Sequence, residues 1–238
     1  MVHAFDRATP RQQKRELTFD RIIETAMASL AKGGLGSLTM QHLARELGFA
    51  VGALYRYFPG KDGIIVAVQR RIIESIREEL VAALAKADQH VAASRKLEPK
   101  KAALLRLWVV AQVYERMSRT RPTEFGLLSM TMGDPRQLVQ DEDAGHLVPA
   151  MASLLQTVSA LFTAASEAGA LSPGDQTRRT LVLWTSTQGA LQLRKLERFG
   201  VGIQASDVLD EAVSTLLTGW GAPADGLEAM RRRAQQLT

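Results

Sequence analysis

The sequence contains no cysteine. Disulfides, thiolate metal sites, iron–sulfur clusters and cysteine nucleophiles are therefore excluded together, and the absence suits a reducing cytoplasm. Apolar runs are short, and none approaches the roughly 18 residues that a membrane span needs. The first residues, MVHAFDRATPRQQKREL, are polar and basic and lack the apolar segment of a secretory signal. Alternating strand patterns of useful length are missing. There is no internal repeat, no long low-complexity tract and no nucleophile motif around the scattered serines. An enzyme finds little support in this pattern, and no catalytic residue is assigned.

What is present is a chain of 238 residues, 46% hydrophobic and 23% charged. That is enough to bury a core as one large domain or two small ones, and global disorder is excluded. The formal charge of +5 is unevenly placed. Residues 1–71 hold eleven Lys and Arg against six Asp and Glu, which accounts for the whole excess; the remaining 167 residues balance. A basic head on a neutral body points to a polyanion partner at one end, although a solvated basic surface gives the same count.

Helical periodicity dominates. Residues 1–17 read as a basic arm. A first helix is expected from Thr18 to Lys32, with Ile22, Ile23, Ala26, Met27 and Leu30 on one face and Gly33 and Gly34 as its stop. Thr39 is placed to cap a short second helix, with Leu38 and Leu43 able to staple its start. Gly48 breaks that helix, and a third is expected from Val51 to about Tyr57. A long helix should follow from Lys61 to about Ala87, then five or six more in a bundle, and a basic tail over residues 223–238.

The informative stretch is TMQHLARELGFAVGALYRYF, residues 39–58. Two turns of helix, a glycine able to take the positive φ of a sharp turn, and a second short helix are what a helix-turn-helix requires, with Ala44 at the crossing of its helices. Gly52-Ala53-Leu54-Tyr55, Tyr57-Phe58 and Lys61, together with Thr39, Ala44 and Gly48, closely resemble the recognition-helix signature of the TetR family of transcriptional regulators over residues 18–66.

The resemblance implies an all-α fold: a three-helix DNA-binding head over 18–66, and a long fourth helix leading into an effector-binding and dimerisation domain over 67–222. It implies a cytoplasmic homodimer that binds a palindromic double-stranded DNA operator, most often as a repressor. Thr39, Tyr55, Tyr57 and Lys61 resemble the family's phosphate-contacting positions. Gln41, Val51, Gly52, Ala53 and Arg56 occupy positions that face base edges, where Gln41 can read adenine and Arg56 can read guanine or grip phosphate. Two positions depart from the pattern: Ala50 and Gly60 stand where the family often has capping serines.

The C-terminal half is rich in large apolar residues, and a small, mainly apolar effector is expected among them. Trp108, Tyr114, Met117, Phe125, Met130, Phe162 and Trp184 are its candidate lining. Ser186 and Gly189, with Val213, Leu216 and Leu217, are candidates for an isologous dimer interface. No cofactor, metal site or membrane association is expected. Gly200-Val-Gly202-Ile-Gln-Ala205 matches a dinucleotide fingerprint but follows a helix end rather than a strand. Asp143-x-x-His146 has helical ligand spacing without the paired motif a di-metal bundle needs. Two other readings remain open on the sequence: a helical interaction module without specific DNA binding, and a helical-bundle enzyme.

Overall fold

A computed structural model describes residues 9–94, 97–133, 145–197, 199–200 and 202–238; these are helical apart from their connections. The chain divides into two compact units. Of the described residues, the first unit takes those up to Arg70 together with Gly145–Leu147, and the second takes those of Arg71–Gly133 and Val148–Thr238. This boundary lies four residues beyond the one read from the sequence.

In the first unit, α1 (Pro10–Ser37) starts eight residues earlier than expected. Thr9 and Gln12 form a capping box, and Pro10 follows at the first helical position, where its missing N–H costs nothing. Residues 10–17 are thus helix rather than arm; residues 1–8 lie outside the described set. The helix breaks at Gly34, at φ 64° and ψ −164°, where the sequence predicts its stop, and a short helical continuation runs to Ser37, whose hydroxyl donates to the Ser29 carbonyl at 2.8 Å. Ile22, Ile23, Ala26 and Leu30 face inward, as their spacing predicts.

Helix α2 (Met40–Leu47) is capped by Thr39, whose Oγ1 accepts from the His42 amide at 3.1 Å. Leu38 and Leu43 are both fully buried. At the other end Gly48 sits at φ 69°, the Phe49 amide donates to the Ala44 carbonyl, and the Gly48 amide donates to Arg45. This is a Schellman closure, and it requires a residue that tolerates the left-handed region.

Helix α3 (Val51–Leu54) is a single turn, shorter than expected. Ala50 stands at its N-cap and offers no side-chain hydrogen bond. Gly52 weakens the interior, and the chain tightens over Tyr55–Tyr57 before Pro59. Leu54 and Phe58 anchor the segment in the core, with Phe58 stacked on Phe19 at 4.8 Å.

Helix α4 (Lys61–Ala93) begins in the first unit and ends in the second. The second unit continues with α5 (Pro99–Thr120), α6 (Pro122–Gly133), a 3₁₀ turn at Gly145–Leu147 assigned to the first unit, then α7 (Val148–Glu167), α8 (Gln176–Gln192), α9 (Arg194–Glu197), α10 (Ala205–Gly219) and α11 (Leu227–Leu237). Helix α5 is central: α6, α7, α8, α10 and α11 all pack on it, and Leu105, Leu107, Trp108 and Val109 are fully buried. The part of α4 within this unit is tied down by ion pairs: Arg106–Asp88 at 2.7 Å and Arg121–Glu79 at 2.8 Å.

The basic tail is no appendage. Helix α11 buries Leu227, Met230 and Ala234, and Arg231 pairs with Asp210 of α10 at 2.6 Å. Gly200 and Gly202, at φ 67° and 71°, form the turn between α9 and α10, so the glycine pair joins helix to helix and lacks the strand that a nucleotide site needs. Among the described residues, Gly145–Glu167 is long and apolar enough to cross a membrane by length and composition. The sequence does not announce it, because Ser153, Gln156, Thr157 and Ser159 interrupt its apolar run. Part of its apolar face forms a wall of the cavity described below.

Candidate nucleic-acid interface and ligand cavity

The helix-turn-helix presents a mixed polar surface. Gln41 on α2 is exposed; Gly52, Tyr55 and Arg56 are exposed on and after α3; Val51, Ala53 and Tyr57 are half-buried. Leu54 and Phe58 are buried at positions four apart, so the residues between them turn outward. Thr39 is exposed, and its capping oxygen only accepts, leaving the hydroxyl proton for a phosphate oxygen.

Arg21 of α1 reaches the Leu47 carbonyl at 3.5 Å and lies 6.0 Å over the Phe49 ring, bracing the turn. The Lys61 ammonium donates to the Leu35 carbonyl at 3.0 Å, which closes the kinked end of α1. Two of its three protons stay available for an anion. Arg45, which the sequence pattern does not single out, is exposed on α2 with its guanidinium 2.9 Å from His42 Nδ1. A signal for it exists: it lies on the same helix as Gln41, one turn further on.

The second unit contains a cavity of about 60 Å³ between α4, α5, α7 and α8. Ile76 and Leu80 come from α4, Val110, Val113 and Tyr114 from α5, and Met151, Leu154, Leu155 and Val158 from α7; α8 contributes Thr180, Leu183, Trp184 and Thr187. None of these lining residues is charged. Of the residues expected to line a pocket, Tyr114 and Trp184 do so. Trp108, Met117, Phe125 and Phe162 are buried core away from it, Phe162 packing edge-on against Trp220 at 5.3 Å. The Met130 side chain lies outside the described residues.

A buried polar chain runs beside the cavity. The Ser129 hydroxyl donates to the Phe125 carbonyl at 2.8 Å, Gln188 Nε2 donates to Ser129 Oγ, and the Tyr114 phenol donates to Gln188 Oε1. Burial pushes Tyr114 up to about 12, while a hydrogen bond from Trp184 pulls the other way, so the phenol stays neutral across the physiological range.

The candidate dimer residues separate. Gly189 is exposed, and Ser186 and Leu216 are half-buried. Val213 and Leu217 are fully buried within the single chain, so they belong to its core and not to a free face. Among the described residues no group of three or more His, Asp or Glu could hold a metal ion. Asp143 lies outside the described set.

A family model described as "Bacterial regulatory proteins, tetR family" matches residues 22–68, the helix-turn-helix and its flanks. The HTH-type transcriptional regulator BetI 2 of Chromohalobacter salexigens is 32% identical over 62 residues, covering 26% of this chain and 30% of that one. The similarity thus spans under a third of that relative's length. Among solved structures, RolR in complex with resorcinol aligns with TM-score 0.63 and 19% identity over 93% of this chain and 96% of its own. FadR from Bacillus subtilis in complex with stearoyl-CoA aligns with TM-score 0.58 and 15% identity over 84% and 98%. At these identities the two structures share the fold.

Proposed function

We propose that this chain, whose residues 22–68 match the family model of bacterial tetR-type regulators, is a cytoplasmic homodimeric repressor that binds a palindromic operator and is released by a small, mainly apolar effector. The observation that carries the DNA-binding part is the α2–α3 surface. A threonine-capped helix, a left-handed glycine turn and a buried Leu54–Phe58 pair together hold Gln41, Tyr55 and Arg56 outward. Tyr55, Tyr57, Thr39 and Lys61 grip phosphates; Gln41 and Arg56 supply the polar base contacts; Val51, Gly52 and Ala53 allow close approach. The interaction-module and enzyme readings have no comparable surface or site in their favour.

The effector enters the cavity between α4, α5, α7 and α8. Helix α4 contributes to this wall and starts beside the helix-turn-helix, so one element belongs to both functions. Coupling requires only that the effector bind the two states of the protein unequally. The solved relatives were captured with resorcinol and with stearoyl-CoA, molecules of very different size and charge, so fold likeness does not select the ligand.

Selection of bound fragments from random and genomic duplexes tests the reading. A symmetric motif should emerge, with affinity falling steeply as salt rises. Recovery of no sequence above background would return the chain to the interaction-module class.

A further inference from the structure

Every polar side chain among the cavity's lining residues already has a partner inside the protein. Thr180 Oγ1 donates to the Gln176 carbonyl at 2.8 Å, and Thr187 Oγ1 donates to the Leu183 carbonyl at 2.7 Å, each one turn back along α8. The Tyr114 phenol bonds Gln188, and Trp184 bonds Tyr114. The other nine lining residues are Ile, Leu, Val and Met, and none of the lining is charged. The polar groups are thus bonded to their own helix or to one another, and the surface left facing the cavity is almost wholly apolar.

Taking this cavity as the effector site proposed above, we infer that it selects a ligand with no polar group at all: a small hydrocarbon, ring or short chain, in preference to the phenol, alcohol or carboxylate built on the same skeleton. Ligand cavities ordinarily combine an apolar lining with a few polar groups that fix the ligand's orientation. Here the candidates for that role bond the protein instead. A hydrocarbon gains from the apolar area that it removes from water and gives up nothing. A hydroxyl brought against the same wall loses its bonds to water and regains none. A carboxylate loses more, because no cation on the wall meets its charge. Apolar cavities of this kind admit benzene. Size agrees: at roughly 10–15 Å³ per water-sized group, about 60 Å³ accommodates a single small ring or short chain.

Four probes built on one ring test this: benzene, phenol, hydroquinone and benzoate, each titrated calorimetrically into the full chain. Benzene should bind about tenfold tighter than phenol. Hydroquinone, which buries a hydroxyl whichever way it enters, and benzoate should bind without measurable heat. Phenol as tight as benzene, or measurable binding of hydroquinone or benzoate, overturns the hydrocarbon selectivity while leaving the cavity as a site. No binding by any probe overturns the cavity reading and the selectivity with it. Val110→Phe and Leu154→Trp, at half-buried lining positions on two different helices, each fill the space. At least one of them, folded by circular dichroism, should weaken benzene binding tenfold or more. Benzene affinity unchanged in both variants places the binding outside this cavity and overturns the assignment. Benzene that binds as expected, yet leaves the protein's hold on a selected duplex unchanged, keeps the selectivity and removes the effector role.

Discussion

The ammonium of Lys61 donates to the main-chain carbonyl of Leu35, 3.0 Å away, joining the start of α4 to the kinked end of α1. The family resemblance places this same lysine on a DNA phosphate. The roles are compatible because an ammonium has three protons and the carbonyl uses one. They separate by experiment. Lys61→Ala should weaken binding to all duplexes alike and lower the slope of log affinity against log salt by about 0.9 for each phosphate that Lys61 neutralises. It should also lower the thermal midpoint of the free protein. An unchanged slope with a lowered midpoint leaves Lys61 as a structural cap alone.

Ala50 leaves α3 without a side-chain cap. Its backbone is extended, at φ −66° and ψ 141°, as an N-cap should be, but its side chain makes no capping bond. Ala50→Ser supplies the missing acceptor for an amide of the first turn and should stabilise the head by about 0.5–2 kcal/mol. Chemical denaturation measures this directly. A loss of stability would mean that the serine finds a competing partner.

How much of this is legible in the sequence depends on how local each signal is. The α2 cap, the Gly48 turn and the buried face of α1 are written in residues a few positions apart, and the structure places them as read. The start of α1 is also local, since Thr9, Pro10 and Gln12 form a capping box; the basic charge around it gives the competing appearance of an arm. The length of α3 turns on Gly52 and an uncapped Ala50 outweighing the helical spacing of Tyr55 and Tyr57. The cavity is another matter. Trp108, Met117, Phe125 and Phe162 are as large and apolar as Tyr114 and Trp184, and nothing in their own neighbourhood separates core from lining. That depends on the gap left between four helices. Thr180 and Thr187, two turns apart on α8, carry no apolar signal that would mark them as lining. Val213 and Leu217 share a stripe with Leu216, yet only the packing of α10 on α8 and α5 shows which of them are enclosed.

The Arg231–Asp210 pair, which docks α11 on α10, gives a pH-dependent test. Burial holds the Asp210 carboxyl above its ordinary value, against the pull of Arg231. Arg231 itself is raised first by its bond to Glu228, so the two shifts differ in origin, and the desolvation of Asp210 decides the sign. An acid with a raised folded-state pKa holds more protons folded than unfolded, so its contribution to stability falls as pH rises from the ordinary carboxylate value upward. Arg231→Met removes the compensating charge and pushes Asp210 further up. The variant should lose about 1–3 kcal/mol near neutral pH, less than for a fully enclosed pair because both side chains retain some exposure. The loss should shrink as the pH is lowered toward the carboxylate range. Urea denaturation at several pH values reads this, and a pH-independent loss would place the cost in packing instead.

The proposed homodimer is tested on the open side of α8. Leu181, Thr185 and Gly189 recur every four residues and are all exposed, with Leu181 retaining 40% of its surface. A Cβ added at Gly189 meets nothing within 4 Å in its own chain. In a mid-helix position, replacing glycine removes a helix penalty of about 0.8–1 kcal/mol. Gly189→Arg should therefore leave the single chain as stable as before or slightly more so. Across a twofold axis the same substitution sets two long cations face to face where close helix approach is needed, and the isologous geometry doubles every clash. The expected result is a monomer by light scattering, with unchanged circular dichroism and much weaker binding to a palindromic duplex than the wild-type protein shows. A variant that remains dimeric would move the interface away from this face of α8, to Leu216 and the exposed side of α10 or to the open apolar side of α7.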